Sequence, residues 1–272
     1  TVKELEEKIA NFFAMDSAMF FPSGTMANQT ALKIHTSPGD QVIAHEYSHV
    51  YNYEGGGASF NSGVSFKLLK GDKGMFNPDE LKYAINPKNF YHAPLTKLVS
   101  LENTTNKGGG HCWDVNQFEK IKKICDENEL GLHMDGARVW NSIVAKNNNP
   151  ELYGNYFDTI SVCLSKGLGC PVGSILVGKK KFIDKALRIR KILGGGMRQV
   201  GYLAAAGLYA LENNLQRLSV DHQKAKEIAS RFSSKDCINS VNEVETNIII
   251  LELNDSLEKQ KIINHISEKE II

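Results

Sequence analysis

Residues 130–138, LGLHMDGAR, and residues 159–169, TISVCLSKGLG, are two short apolar runs that each lead to an ionisable side chain. The apolar positions alternate in both runs: Leu130, Leu132 and Met134 in the first, and Ile160, Val162 and Leu164 in the second. A period of two predicts strands of a sheet core. Asp135 and Lys166 then stand at the carboxyl ends of their strands, where open α/β sheets bind ligands in a crevice.

A carboxylate and a lysine in such a crevice suit the chemistry of pyridoxal phosphate. The lysine amine can bond covalently to the aldehyde of the cofactor, and the acid can hold a proton on the pyridine nitrogen so that the ring accepts electrons. A structural ion pair between Asp135 and Lys166 accounts for the spacing equally well, because such pairs also occur in clefts. The spacing of the two residues leaves both interpretations open.

The rest of the chain alternates predicted strands with predicted helices. Strands are predicted at 18–21, 41–44, 64–69, 98–102, 174–177 and 245–253, and helices at 1–13, 26–33, 78–84, 115–128, 179–193, 199–213 and 215–232. The helix 115–128 is predicted to bury a stripe formed by Phe118, Ile121, Ile124 and Cys125. This order is typical of an α/β fold with a mostly parallel sheet covered by helices on both faces. We expect residues 1–210 to form this large domain. Residues 211–272 are expected to begin a smaller α+β domain that is incomplete, because no strand that could close its sheet follows.

Three local expectations accompany this prediction. Thr1 and Glu4 have the spacing of a capping box at the start of the first helix. Residues 147–154 are polar and are expected to form a loop. His45 and His49, four residues apart, would share one face of a helix.

Bulk composition narrows the class of protein. The 272 residues carry 32 lysines and arginines and 31 acidic residues, so there is no basic field that favours nucleic acid. The longest apolar stretches are too short to cross a bilayer, and the chain opens with the charged VKELEEK rather than with a signal peptide. The five cysteines are scattered and odd in number, which favours reduced thiols in a cytoplasmic enzyme.

The turn Ser23-Gly24-Thr25 lies between a predicted strand and a predicted helix. Free N–H groups and the positive end of the helix dipole make such a turn a candidate anion site. Gly24 lets an anion come close, and Ser23 and Thr25 add hydroxyl donors. An ordinary capped helix is the alternative, since serine and threonine are common caps.

The histidines of the segment 45–57 raise two further possibilities. No third ligand follows at a usual spacing, so we predict no zinc site here and no metal elsewhere. The ring of His49 could instead stack on a flat cofactor, although a structural histidine is the commoner case.

Six motifs, in order, resemble those of the low-specificity threonine aldolases, which belong to the β-eliminating lyase group of fold-type I pyridoxal phosphate enzymes. They are FPSGTMANQTAL (21–32), SHVYNYEGGG (48–57), LVSLENTTNKGGG (98–110), LHMDGARVWN (132–141), SVCLSKGLGCPVGS (161–174) and ILGGGMRQVG (192–201). The similarity is dense to about residue 215 and thinner beyond it. It implies a seven-stranded-type sheet and the cleavage of threonine or allo-threonine to glycine and acetaldehyde.

The resemblance also implies a role for each matching residue. Lys166 carries the cofactor, Asp135 pairs with the pyridinium nitrogen, and His49 stacks on the ring and is the candidate base. Three roles concern anionic groups: Ser23, Gly24 and Thr25 hold the phosphate, Arg138 reaches the phenolic oxygen of the cofactor and the carboxylate of the substrate, and Arg198 lines the phosphate side. The implied assembly is a homotetramer with active sites at subunit contacts.

Departures from the family pattern keep other functions open. The family has a serine before the point where this chain begins and a carboxylate-binding arginine after the point where it stops. Thr105, a candidate substrate contact, stands where many members have a histidine tied to the β-hydroxyl of the substrate. A different pyridoxal phosphate reaction, such as β-elimination or racemisation, and an inactive cofactor-binding partner subunit are the alternatives.

Overall fold

The structure, a computed structural model, describes residues 1–254 and 259–269. Its centre is a seven-stranded sheet with the order β1-β7-β6-β5-β4-β2-β3. The strands are β1 (Ser17–Phe21), β2 (Gln41–His45), β3 (Ser65–Leu69), β4 (Thr96–Glu102), β5 (Gly131–Gly136), β6 (Thr159–Cys163) and β7 (Ser174–Gly178). Strands β2 to β6 are mutually parallel, whereas β7 runs antiparallel to both β6 and β1. The predicted α/β fold with a mostly parallel, seven-stranded sheet is confirmed.

Helices cover both faces of this sheet. The α-helices of the described residues are α1 (Val2–Phe12), α2 (Gly24–His35), α3 (His49–Asn52), α4 (Pro78–Ala84), α5 (Val115–Glu127), α6 (Val139–Lys146), α7 (Glu151–Tyr156), α8 (Lys180–Ile192), α9 (Gly201–Asn213), α10 (Leu218–Phe232) and α11 (Lys259–Glu268), and Ala58–Ser62 form a π-helical turn. Strand β1 shows the two faces within five residues. Met19 and Phe21 pack in one apolar cluster with α2 and α8, while Ala18 and Phe20 pack in the main cluster with α1 and α9.

The antiparallel direction of β7 follows from its short connection to β6. Only residues 164–173 join the two strands, and parallel neighbours need a crossover of a dozen residues or more. The connection therefore returns at the carboxyl end of the sheet. As a result Lys166 stays beside the end of β6 and is not carried into a covering helix.

Two local predictions are wrong. Thr1 precedes α1 but makes no side-chain cap hydrogen bond, so the predicted capping box does not form. Residues 151–154, predicted as part of the loop 147–154, belong instead to the short helix α7, which is held by Tyr153 in the core. By contrast, the predicted stripe of α5 is confirmed, because Phe118, Ile121 and Ile124 are all buried.

The C-terminal part contains α10, α11 and a two-stranded antiparallel sheet, β8 (Ile238–Val241) with β9 (Leu251–Leu253). The prediction of one strand over 245–253 is wrong for residues 245–250, and β8 was not predicted. Thr246, for example, donates to the Gly110 carbonyl oxygen of the large sheet unit instead of joining the ladder. Residues 255–258 and 270–272 of the predicted small domain lie outside the described residues. Within the described ranges, no helix combines the length and apolarity needed to cross a membrane.

Candidate active site

A cavity of about 270 Å³ opens at the carboxyl ends of the parallel strands and brings together most of the predicted site residues. Asp135 lies in β5 and Lys166 lies three residues beyond the end of β6, its neighbour in the sheet. The residues that line the cavity include Ser23, Gly24, Thr25, Asn28, His49, Glu54, Glu102, Asn106, Asp135, Arg138, Ser165 and Lys166. The two apolar runs that lead to Asp135 and Lys166 therefore meet at one site.

The first wall of the cavity is the turn before α2. Ser23 caps this helix, its Oγ accepting from Met26 N at 3.1 Å. The amides of Gly24 and Thr25 donate to no acceptor within the described residues. Two free N–H groups at the positive end of a twelve-residue helix are the donors that an anion site needs, and the binding of an anion here stays a prediction.

Asp135 forms the floor of the cavity and is only 2% exposed. Its Oδ2 accepts from Asn28 Nδ2 at 2.9 Å, and its Oδ1 accepts from Ala137 N at 3.1 Å. Burial, and then the nearby Glu54 carboxylate, raise the pKa of Asp135. A cation bound against Asp135 would offset both effects by favouring the ionised carboxylate.

His49 stands at the side of the cavity, as the first residue of α3. Its backbone N–H donates to Glu102 Oε2 at 2.8 Å, and its ring Nδ1 lies 3.2 Å from Glu54 Oε1. The hydrogen bond with Glu54 raises the pKa of the imidazole. The predicted shared helix face with His45 is wrong, because His45 is still the last residue of β2.

Arg138 lines the same cavity, and a chain of hydrogen bonds that starts at Glu102 positions it there. Glu102 Oε1 accepts from Asn106 N at 2.8 Å, and Asn106 Oδ1 accepts from Arg138 Nη1 at 3.0 Å. Burial raises the pKa of Glu102 to about 7, and the neighbouring charge of Asp135 contributes to the shift. Glu102 thus anchors both the backbone of His49 and the loop that holds Arg138.

Two predicted residues do not line the cavity. The hydroxyl of Thr105 donates to the Lys73 carbonyl oxygen at 2.8 Å, and the backbone N–H donates to the His111 carbonyl oxygen at 3.0 Å. These bonds hold Thr105 in the loop behind the cavity, which does not support the predicted contact with substrate. Arg198 is exposed in the turn between α8 and α9 and is not among the residues that line the cavity, so its place on the phosphate side stays a prediction.

Sequence reasoning missed four polar residues that build the site, namely Asn28, Glu54, Glu102 and Asn106. Each is half-buried or buried and each bonds to a predicted site residue or to another member of the set. A signal existed for Glu54, which is followed by three glycines. A side chain at Gly57 would place its Cβ 2.8 Å from Gln29 Cδ, so this glycine admits the neighbour that bonds Glu54.

Two groups of side chains in residues 1–254 are close enough together to hold a metal ion. They are His49, Glu54 and Asp135 in the cavity, and His111, Glu243 and Glu245 near the second sheet. In both groups the carboxylate oxygens already accept hydrogen bonds from protein donors. The absence of a metal stays a prediction.

Comparison with known proteins gives a consistent family assignment. The family model for beta-eliminating lyases matches residues 1–256. The chain is 40% identical over 278 residues to low-specificity L-threonine aldolase 1 of Arabidopsis thaliana, covering 100% of this chain and 78% of that protein. It is 40% identical over 233 residues to the low specificity L-threonine aldolase of Escherichia coli (strain K12), covering 85% of this chain and 69% of that protein.

Solved structures agree with these matches. A crystal structure from Listeria monocytogenes EGD-E, provisionally designated an L-allo-threonine aldolase, superposes with a TM-score of 0.85 at 26% identity and covers 99% of this chain and 73% of its own. The threonine aldolase of Leishmania major superposes with a TM-score of 0.73 over 100% of this chain and 89% of its own. At 18% identity, the second likeness shows the shared fold.

Proposed function

The chain belongs to the beta-eliminating lyase family, and on that premise we propose that it cleaves L-threonine and L-allo-threonine to glycine and acetaldehyde with pyridoxal phosphate as cofactor. The observation that carries the proposal is the single cavity lined by an anion-binding turn, a buried acid, a lysine and a histidine ring. The threonine aldolases among its relatives support this substrate class, and they give no support to elimination or racemisation.

The donor set fits the cofactor group by group. The free amides of Gly24 and Thr25 suit a phosphate, which accepts hydrogen bonds from a helix N-terminus. The buried carboxylates of the same cavity suit a cationic ring, because burial raises the pKa of Asp135 and of Glu102 and a nearby positive charge favours their ionised form. When bound, pyridoxal phosphate supplies an electron sink for the pair of electrons that bond cleavage leaves on the substrate.

The side chains of this chain supply the remaining functions. Lys166 is exposed at the cavity and offers the amine that anchors the cofactor. Asp135 holds a proton on the ring nitrogen. Arg138 is pinned by Asn106 and presents its planar fork to a carboxylate. His49 takes the proton of the substrate β-hydroxyl, and its hydrogen bond with Glu54 raises the pKa of the imidazole and so makes it a stronger base.

A product assay tests this reaction. The purified chain with added cofactor should convert L-threonine to glycine and acetaldehyde, without pyruvate or ammonia. Lys166→Ala should abolish the reaction and the visible absorbance that follows cofactor addition, while Lys120→Ala, an exposed lysine on α5, should change neither. Formation of pyruvate and ammonia, or an unchanged Lys166→Ala, would contradict the proposal.

Assembly, domain division and compartment also belong to this proposal. A homotetramer is supported by exposed apolar side chains on α8 and α9: Leu187, Ile192, Tyr202 and Tyr209 are 55%, 72%, 88% and 64% exposed. Packing of a second copy there would cover Arg198 and the adjoining glycines.

Residues 211–272 begin the smaller domain. All five cysteines lie in the described part of the chain and none forms a disulfide, which suits a reducing cytoplasm.

A further inference from the structure

Asn28 bridges two buried carboxylates beneath the cavity. Its Nδ2 lies 2.9 Å from Glu54 Oε1 and 2.9 Å from Asp135 Oδ2. An ionised carboxylate only accepts hydrogen bonds, so each of the two amide hydrogens must serve one acid. The remaining atom, Oδ1, accepts from Ser161 Oγ at 2.5 Å. These contacts fix the orientation of the amide and make Asn28 the link between the two acids.

Glu54 is the second part of this arrangement, and its side chain is completely buried. One oxygen, Oε1, accepts from Asn28 and lies 3.2 Å from His49 Nδ1, and the other, Oε2, accepts from Gln29 Nε2 at 2.7 Å. Because an ionised Glu54 has no proton to give, Nδ1 of His49 must carry one. The ring then presents Nε2, which makes no hydrogen bond within the described residues, as its basic atom.

We propose that Asn28 and Glu54 are one positioning unit for the two groups that flank the cofactor: Glu54 sets the orientation and tautomer of His49, and Asn28 ties Glu54 to Asp135. The inference rests on the proposed function, since it assigns His49 and Asp135 their roles there. Neither Asn28 nor Glu54 acts on the substrate itself. Their contribution is to orient Nε2 of His49 toward the cavity and, through Asn28, to fix the position of the Asp135 carboxylate.

Burial makes this arrangement effective. Glu54 is completely buried, and in a low-dielectric interior a hydrogen bond to an acid is stronger than at the surface, whereas a carboxylate left without donors is costly. Asn28 and Gln29 supply those donors to Glu54. The charged groups that face His49 are Glu54, Glu102 and Asp135, and Arg138 and Lys166 line the same cavity.

The test follows the protonation of His49 in the full chain before cofactor is added. The imidazole proton of His49 is identified by nuclear magnetic resonance from its loss in His49→Gln, and its pKa is measured in wild type, Glu54→Gln and Glu46→Gln. Glu54→Gln should lower the pKa of His49. Glu46→Gln, which removes a half-buried acid just after the end of β2, should leave the pKa of His49 at the wild-type value. An unchanged pKa in Glu54→Gln overturns the proposal.

A second variant guards against misfolding of Glu54→Gln, in which two amide groups would face each other. The double substitution Gln29→Glu with Glu54→Gln exchanges acid and amide across the 2.7 Å contact, so the hydrogen bond and the net charge are both kept. The negative charge, however, moves away from His49. The pKa of His49 should fall in this variant too, and a wild-type value in the folded double variant rejects the positioning role.

An activity measurement separates this inference from the proposed reaction. With cofactor, Glu54→Gln should lower kcat/KM for threonine by about tenfold or more, as expected for loss of one charge-assisted hydrogen bond. If wild type shows no threonine cleavage, the proposed function fails, yet the titration of His49 still decides the role of Glu54. If wild type cleaves threonine and the pKa of His49 in Glu54→Gln equals that of wild type, the positioning unit is refuted and the proposed function is not.

Discussion

Replacing Gly24 by alanine should destabilise the fold through one contact. A Cβ at this position would lie 2.8 Å from Cys163 Sγ and 3.5 Å from Ser174 Oγ, and Cys163 is only 6% exposed. The backbone of Gly24 is outside the left-handed region, so alanine brings no backbone strain. Overpacking of this kind costs roughly 1–3 kcal/mol, and alanine returns at most about 1 kcal/mol through its helix propensity. We expect a net loss of about 1–2 kcal/mol.

A double-mutant cycle with Cys163→Ala isolates that contact. Removing Sγ makes room for the new methyl group, so the double variant should regain about 1–2 kcal/mol relative to the sum of the two single changes. The free energy of unfolding is measured in urea at constant pH. Gly201→Ala is the control, because a Cβ there meets only Thr1 Cβ at 4.0 Å and should not destabilise the protein. A stable Gly24→Ala, or strict additivity in the cycle, would refute the reasoning.

Three further predictions concern buried ionisable groups. Asp135→Asn should bind the cofactor but lower kcat for threonine by about tenfold or more, because it cannot hold a proton on the ring nitrogen; wild-type turnover would exclude this role. Burial raises the pKa of Glu102 to about 7, so its protonated form stabilises the folded chain at pH 4.5 and that contribution is lost as the pH rises through 7. When the free energy of unfolding is measured in urea from pH 4.5 to pH 7, Glu102→Gln should therefore lose roughly 1–3 kcal/mol less of it than wild type. Parallel pH profiles for the two proteins would contradict the raised pKa of Glu102. Burial lowers the pKa of His133 to about 3, so its contribution is present above pH 6.5 and is lost as the pH falls; His133→Gln should flatten the acid limb between pH 6.5 and 4, and an unchanged slope would count against it.

The sequence was informative where hydrophobic period and chain order decide the structure. Alternating apolar residues located β5 and β6, and the helical stripe of Phe118, Ile121 and Ile124 located α5. The position of the cavity followed from the rule that ligands bind at the carboxyl ends of parallel strands. The direction of β7 could also have been predicted, since residues 164–173 are too few for a parallel crossover.

The polar support of the site could not be read in the same way. Asn28 lies in a helix and Glu54 lies in a loop, and nothing in their spacing shows that Asn28 joins the Glu54 carboxylate to that of Asp135. Thr105 illustrates the reverse case, since its place in a motif predicted a substrate contact while a local hydrogen bond to Lys73 fixes it elsewhere. Likewise, the segment 245–250 has the apolar pattern of a strand, but side-chain bonds such as that of Thr246 tie it to another loop.

The pairing of β1 with β7 has a consequence for biosynthesis. Ser17 lies opposite Gly178, so the edge of the sheet next to the turn 23–25 cannot close until the ribosome has added some 160 further residues. At ordinary translation speeds of about 5–20 residues per second, that interval is roughly 10–30 s. During this time the nascent chain carries an unpaired β1, a segment that a chaperone could shield.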